Sequence, residues 1–256
     1  MPLTSSWCLP PKNLALAGEV HVWRAGLNLN ASYVHSLTQI LSADEQERVN
    51  RFYFPKDRDR FIAARGLLRL ILARYLNTEP SHLRFSYNPY GKPDFIDESG
   101  RNGLRFNLSH SQGIALFAIT RGREIGIDLE YIRSDLADSQ VAERFFSHRE
   151  VQALRALPKH SQPVAFFNCW TRKEAYIKAR GKGMTLPLDQ FDVSLVPGEP
   201  AALLYVNDDP EESSHWSLRD LVPGPGYAAA LAVEGHDWGL KCWQWPGESL
   251  SPAARS

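Results

Sequence analysis

Residues 104–130 read LRFNLSHSQGIALFAITRGREIGIDLE. Leu104, Phe106 and Leu108 alternate with polar positions, residues 114–120 form a nearly continuous apolar run, and Ile125, Ile127 and Leu129 alternate again. Alternation marks a strand with one buried face, and a short unbroken apolar run marks a strand buried on both. The connections Ser111-Gln112-Gly113 and Arg121-Gly122-Arg123 are short and contain glycine. The spacing therefore predicts three strands joined as an antiparallel meander.

Upstream, residues 58–76 repeat Phe61, Ala64, Leu68, Ile71, Leu72 and Tyr75 at helical spacing. A shorter helix is expected before it: Ser42 can cap and Glu45 lies three residues on, the capping-box spacing. It should carry Val49 and Phe52 and stop before Pro55. Residues 19–25 and 83–87 read as strands, and Asn88-Pro89-Tyr90-Gly91-Lys92-Pro93 as a turn-rich loop. Downstream, helices are expected at 141–157 and 163–181, then strands at 191–196, 203–206, 216–221 and 227–233. The order helix, helix, strand thus occurs twice, and Arg51-Phe52-Tyr53-Phe54 is echoed by Arg144-Phe145-Phe146-Ser147. The expectation is an α+β chain of two related lobes, 1–122 with a flexible arm at 1–15 and 123–245, followed by a disordered tail at 246–256.

The chain has 256 residues, 43% of them hydrophobic, and can bury a core without staples. Lys plus Arg and Asp plus Glu both number 29, so global charge gives no reason to expect a nucleic acid or a membrane as partner. Cys8, Cys169 and Cys242 are odd in number and form no CxxC pair, which argues against a disulfide framework or a thiolate zinc site. The first residues lack a basic stretch followed by an apolar run, and no apolar stretch approaches membrane-spanning length. A cytoplasmic, monomeric, soluble protein is expected.

Four groups of residues can carry chemistry. Asp128 and Glu130 are two apart on a strand and project from one face. Two such carboxylates repel unless a cation lies between them, and oxygen ligands suit magnesium; the plainer alternative is a solvated strand end. Glu174 and Lys178, in Trp170-Thr171-Arg172-Lys173-Glu174-Ala175-Tyr176-Ile177-Lys178, are neighbours on one helix face, a spacing that by itself predicts a surface ion pair. Ser109 and His110 offer hydrogen bonds and a titratable charge, but adjacent strand residues face opposite ways and do not make a serine–base pair. Arg48, Arg60, Lys92, Lys173, Lys178 and Lys182 make an anion site only if the fold gathers them.

Taken together these elements resemble the 4′-phosphopantetheinyl transferase superfamily, in its larger Sfp-type form and in wording like its cyanobacterial members. The resemblance rests on Gly126-Ile127-Asp128-Leu129-Glu130 and residues 170–178, about forty residues apart, with Phe106-Asn107-Leu108-Ser109-His110-Ser111 and Tyr90-Gly91-Lys92-Pro93 before them, and covers roughly residues 41–233. It implies a pseudo-dimer of two α+β lobes with coenzyme A in the cleft between them. The implied reaction moves the phosphopantetheine arm of coenzyme A onto a serine of an apo acyl-carrier or peptidyl-carrier protein, releasing 3′,5′-adenosine bisphosphate. Asp128, Glu130 and Glu174 then match ligands of magnesium, with manganese as the alternative. Glu174 also matches the base for the carrier serine, with Glu150 or a metal-held water as other bases. Lys173 and Lys178 match diphosphate contacts, and Ser109 and His110 coenzyme A contacts, His110 near the 3′-phosphate. Lys92, Arg60 and Arg48 match further phosphate or nucleotide contacts. The stretch Asp44-Glu45-Gln46-Glu47-Arg48 is acidic where the best-known member is basic.

Two other readings use the same residues. A magnesium-dependent phosphohydrolase would cleave a nucleotide diphosphate with no carrier. A non-catalytic binding module would hold coenzyme A or a carrier, but has little need to keep three carboxylates together against their repulsion. Carrier choice, among fatty-acid, polyketide and peptide synthases, is expected to lie in an exposed surface around residues 135–157.

Overall fold

A computed structural model describes residues 6–96, 103–134, 139–181, 183, 186–207, 209 and 211–247. The chain runs β1 (Glu19–Gly26), α1 (Ala31–Thr38), α2 (Ala43–Val49), α3 (Pro55–Leu76), β2 (Phe85–Tyr87), β3 (Pro93–Phe95), β4 (Leu104–Ser111) and β5 (Ile114–Arg121). It continues β6 (Ile125–Tyr131), α4 (Ser139–Phe145), α5 (His148–Ala156), α6 (Gln162–Arg180), β7 (Phe191–Val193), β8 (Leu203–Val206), β9 (Trp216–Leu221), β10 (Tyr227–Glu234) and β11 (Gly239–Gln244).

The order of elements from β1 to β5 repeats from β6 to β10: a strand, three helices, a two-stranded ribbon and two more strands. The pairing repeats as well, since one sheet contains β1-β5-β4 and the other is β6-β10-β9. The chain is thus an α+β pseudo-dimer, as expected. The meander is corrected: β4 and β5 form the predicted antiparallel hairpin, but the third strand, β6, leaves it and pairs with β10 in the second sheet. The last strand, β11, returns to pair in parallel with β1.

Alternation on β6 explains the layers. Ile125, Ile127 and Leu129, with Leu231 and Val233 of β10, pack against Val20, Val22, Leu116 and Ala118 of the first sheet. The two sheets therefore lie face to face. The outer face of the first sheet, including Trp23, Phe106 and Phe117, carries α1–α3. The outer face of the second, including Ala228, Ala230 and Ala232, carries α6.

Helix boundaries follow local chemistry. Ser42 and Glu45 make the predicted capping box, but α2 ends at Val49, and Pro55 starts α3 rather than only ending its predecessor, because its missing N–H is harmless in a first turn. The helix expected over 141–157 is two: Ser147 accepts the N–H of Glu150 and caps α5, breaking the run after Phe145. Helix α6 ends at Gly181, whose φ of 65° suits a glycine C-cap. From Trp7 onward the arm expected at 1–15 is docked: the Trp7 indole donates to the Val222 carbonyl, and Cys8 bridges to Trp243. Lys182, residues 135–138 of the expected carrier surface and the tail from 248 lie outside the described residues.

Candidate active site between the lobes

Alternation on β6 puts Asp128 and Glu130 on the face that meets α6. Trp170, Glu174 and Lys178 recur one turn apart on the helix face that meets them. These five residues line one cleft of about 470 Å³ with Leu108, Ser109 and His110 of β4, Phe145 of α4 and Leu188. The cleft lies between the two lobes, and it gathers Asp128, Glu130 and Glu174, which are distant in sequence.

The lobes are joined here by side chains rather than a backbone ladder. Asn107, Ser109 and Ser111 share one face of β4 and accept the backbone N–H groups of Ile127, Leu129 and Tyr131 at 2.9, 3.2 and 3.1 Å. Each of these polar groups thereby satisfies a donor of the edge strand β6. Two of them also touch the acids: Ser109 Oγ donates to Asp128 Oδ1 at 3.0 Å, and Ser111 Oγ donates to Glu130 Oε2 at 3.1 Å.

Lys178 Nζ reaches Asp128 Oδ1 at 2.6 Å and Ser109 Oγ at 3.2 Å. Asp128 is 4% exposed, and its other oxygen, Oδ2, is buried with no hydrogen-bond partner. A buried carboxylate oxygen left this way is a vacancy for a cation. Burial, and then the charge of Asp128, push the pKa of Glu130 up. Burial, then Asp128 and Glu130, do the same for Glu174, against the opposing charge of Lys178. The donor set is hard oxygen, which suits magnesium. As placed, however, no three His, Cys, Asp or Glu side chains among the described residues stand close enough to hold a metal ion. The Lys178 ammonium supplies a positive charge at Asp128 Oδ1.

The basic residues divide. Arg60 Nε donates to Asn28 beside the β4–β5 turn, and the charges of Lys178 and Arg60 add to burial in lowering the pKa of His110. Lys178 and His110 line the cleft together, while Arg60 lies beside the β4–β5 turn, outside its lining. Arg48 lies over the Phe61 ring and lines a second hollow with Arg51 and Phe52. Lys92 does not line the main cleft; its ammonium lies 3.3 Å from the Ala179 carbonyl and 3.4 Å from that of Ile125, favourable positions at a helix C-terminus. Beside it Asn88 donates to the Gly181 carbonyl.

Two expectations are corrected. Lys173 is 0% exposed and points away from the cleft, donating to the carbonyls of Leu188 and Phe191 and pairing with Glu150 at 2.8 Å. It is one residue from Glu174 and so about 100° around the helix, which removes it from any diphosphate. Glu150 is equally buried, also accepts the N–H groups of Ser147 and Val193, and is unavailable as a base. Of the acids before Arg48, Glu45 is buried between Arg65 and Arg69, whereas Asp44 and Glu47 are exposed.

Sequence reasoning missed the apolar wall of Phe145, Trp170 and Leu188, and the bridging role of Asn107 and Ser111. The period-two polar positions of β4 were the available signal for the latter.

Two family models match consecutive parts of the chain: 4′-phosphopantetheinyl transferase, N-terminal, over residues 29–121, and the 4′-phosphopantetheinyl transferase superfamily over residues 124–232. The 4′-phosphopantetheinyl transferase HetI of Nostoc sp. is 45% identical over 95% of this chain and 100% of its own. A Synechocystis sp. protein, slr0495, is 36% identical over 70% of this chain and 71% of its own. The 4′-phosphopantetheinyl transferase Sfp of Bacillus subtilis is 32% identical over 77% of this chain and 84% of its own. With the duplicated topology and the acid-lined cleft between its halves, these likenesses decide the matter: the chain belongs to the 4′-phosphopantetheinyl transferase superfamily, in its Sfp-type form.

Proposed function

We propose that the chain transfers the 4′-phosphopantetheine arm of coenzyme A to a serine of apo acyl-carrier or peptidyl-carrier proteins, releasing 3′,5′-adenosine bisphosphate. The observation that carries this reading is the convergence of Asp128, Glu130, Glu174 and Lys178 on one cleft, with an unpartnered oxygen of Asp128 inside it.

Asp128, Glu130 and Glu174 are assigned to hold magnesium once the coenzyme A diphosphate is present. When bound, the ion neutralises charge on the diphosphate and on the leaving phosphate. Lys178, already near the acids, is assigned to a diphosphate oxygen. His110 and Arg60, with Arg48 further along, are assigned to the nucleotide end of coenzyme A and its 3′-phosphate. Glu174, which lines the cleft beside Lys178, is also assigned as the base for the attacking serine. Phe145, Trp170 and Leu188 give the cleft an apolar side, assigned to contact the pantetheine arm. Residues 1–122 and 123–245 are assigned as the lobes, working as a monomer in the cytoplasm. Among the described residues, no helix is long and apolar enough to cross a membrane.

The test against a phosphohydrolase is carrier dependence. Release of 3′,5′-adenosine bisphosphate from coenzyme A and magnesium should require an apo carrier. Equal release without a carrier would favour hydrolysis and refute this reading.

A further inference from the structure

Gly126 precedes Asp128 by two residues on β6 and shares its face. It does not have a left-handed φ, so no turn demands glycine there. What it lacks is space: a Cβ would lie 2.0 Å from the Ala175 carbonyl oxygen, 2.3 Å from the Ala179 nitrogen and 2.9 Å from the Ala179 Cα. All of these are backbone atoms of α6, so no side-chain rotation relieves the overlap. The neighbouring strand continues the same surface. Gly126, Asp128 and Glu130 stand opposite Ala232, Ala230 and Ala228 of β10, all small residues packed toward α6.

The two contacted residues adjoin the functional ones. Ala175 follows Glu174, and Ala179 follows Lys178. This close approach of helix to sheet therefore bears directly on how far Glu174 and Lys178 stand from Asp128. We infer that Gly126 is a positioning residue that fixes the width of the acid site, and with it the size of cation the site accepts. This rests on the reading of Asp128, Glu130 and Glu174 as metal ligands.

A methyl group at 126 would have to push α6 outward by roughly 1.5 Å to reach ordinary contact. Magnesium needs oxygens at about 2.0–2.1 Å in near-octahedral order, whereas calcium accepts about 2.3–2.6 Å in flexible geometry. Widening the site therefore penalises the smaller ion selectively. A role confined to packing would instead weaken both ions together, as the fold loosened.

The test is calorimetric titration of the full chain, with coenzyme A present, by magnesium and separately by calcium. For Gly126→Ala the expected result is a magnesium Kd weakened by about tenfold or more, with calcium changed by less than about threefold. Equal weakening of both ions, or no change in either, would overturn the inference while leaving the metal reading intact. If the wild-type chain binds neither ion, the metal reading falls and this inference falls with it. Should Gly126→Ala fail to fold, Ala230→Val presses on α6 from the adjacent strand, opposite Asp128, and must shift preference toward calcium in the same way. An Ala230→Val chain with wild-type selectivity would also overturn the inference.

Discussion

Ser109 Oγ donates to Asp128 Oδ1 at 3.0 Å while accepting the backbone N–H of Leu129 at 3.2 Å. One hydroxyl thus joins the lobes and orients the carboxylate at the centre of the cleft. Ser109→Ala leaves the buried Leu129 N–H without that partner and should cost about 1–3 kcal/mol of stability. Urea denaturation measures this. An unchanged midpoint would mean the hydroxyl plays no part in the joint.

Lysines at 173 and 178 should behave oppositely. Lys173→Met strands the Glu150 carboxylate in the core and should destabilise the fold by about 3–5 kcal/mol. Lys178→Met also removes the counter-charge of buried Asp128, but Lys178 is part-exposed and Ser109 still donates to that carboxylate, so it should cost less stability than Lys173→Met while weakening coenzyme A binding. Thermal unfolding and coenzyme A titration of both variants check this. A stable Lys173→Met chain with weakened coenzyme A binding would restore Lys173 to the cleft.

In the metal-free protein Glu130 and Glu174 should contribute less stability as pH rises out of the acid range. The folded state holds protons on Glu130 and Glu174 more tightly than the unfolded state, because burial and the neighbouring carboxylates raise both pKa values. The stability these two groups contribute is therefore greatest below the ordinary carboxylate pKa and falls as pH climbs through the raised values. Magnesium added with coenzyme A should restore the loss at neutral pH. Denaturation midpoints of the wild type and of Glu130→Gln with Glu174→Gln, compared across pH without metal, test this; a wild-type-minus-variant difference that grows with rising pH would refute it.

His110 predicts a pH effect on binding. Its pKa is lowered in the free protein, by burial and by Lys178 and Arg60, so it is neutral near pH 7. A phosphate placed beside it favours the protonated ring. Coenzyme A affinity should thus rise as pH falls through the histidine range, and His110→Gln should flatten that rise. Proton uptake in calorimetry measured in two buffers checks the sign; release on binding would contradict it.

The duplicated fold was legible in part. Alternation and capping located most elements, because they are local: the β4–β5 hairpin, the capping box at Ser42 and the long helices all follow from short-range chemistry. The partner of β6 was not legible, since its apolar face fits a meander or a second sheet equally well, and only long-range packing against β1 and β5 decides. The same distinction governs the site. Periodicity put Asp128 and Glu130 together and Glu174 with Lys178, but nothing local joins the two pairs, which the approach of α6 to Gly126 does. Lys173 is expected at the diphosphate only through the resemblance; helical geometry turns it about 100° from Glu174, and its partner Glu150 lies in the core.

The central claim is that this cleft moves phosphopantetheine to a carrier through the acids around Asp128. The direct measurement is the intact mass of an apo carrier protein after incubation with coenzyme A, magnesium and the enzyme, in parallel with Asp128→Ala. The account predicts a carrier heavier by one phosphopantetheine group with the wild-type chain, and a rate lower by at least about a hundredfold with the variant. A carrier left unmodified by the wild-type chain, or modified equally fast by Asp128→Ala, would contradict it.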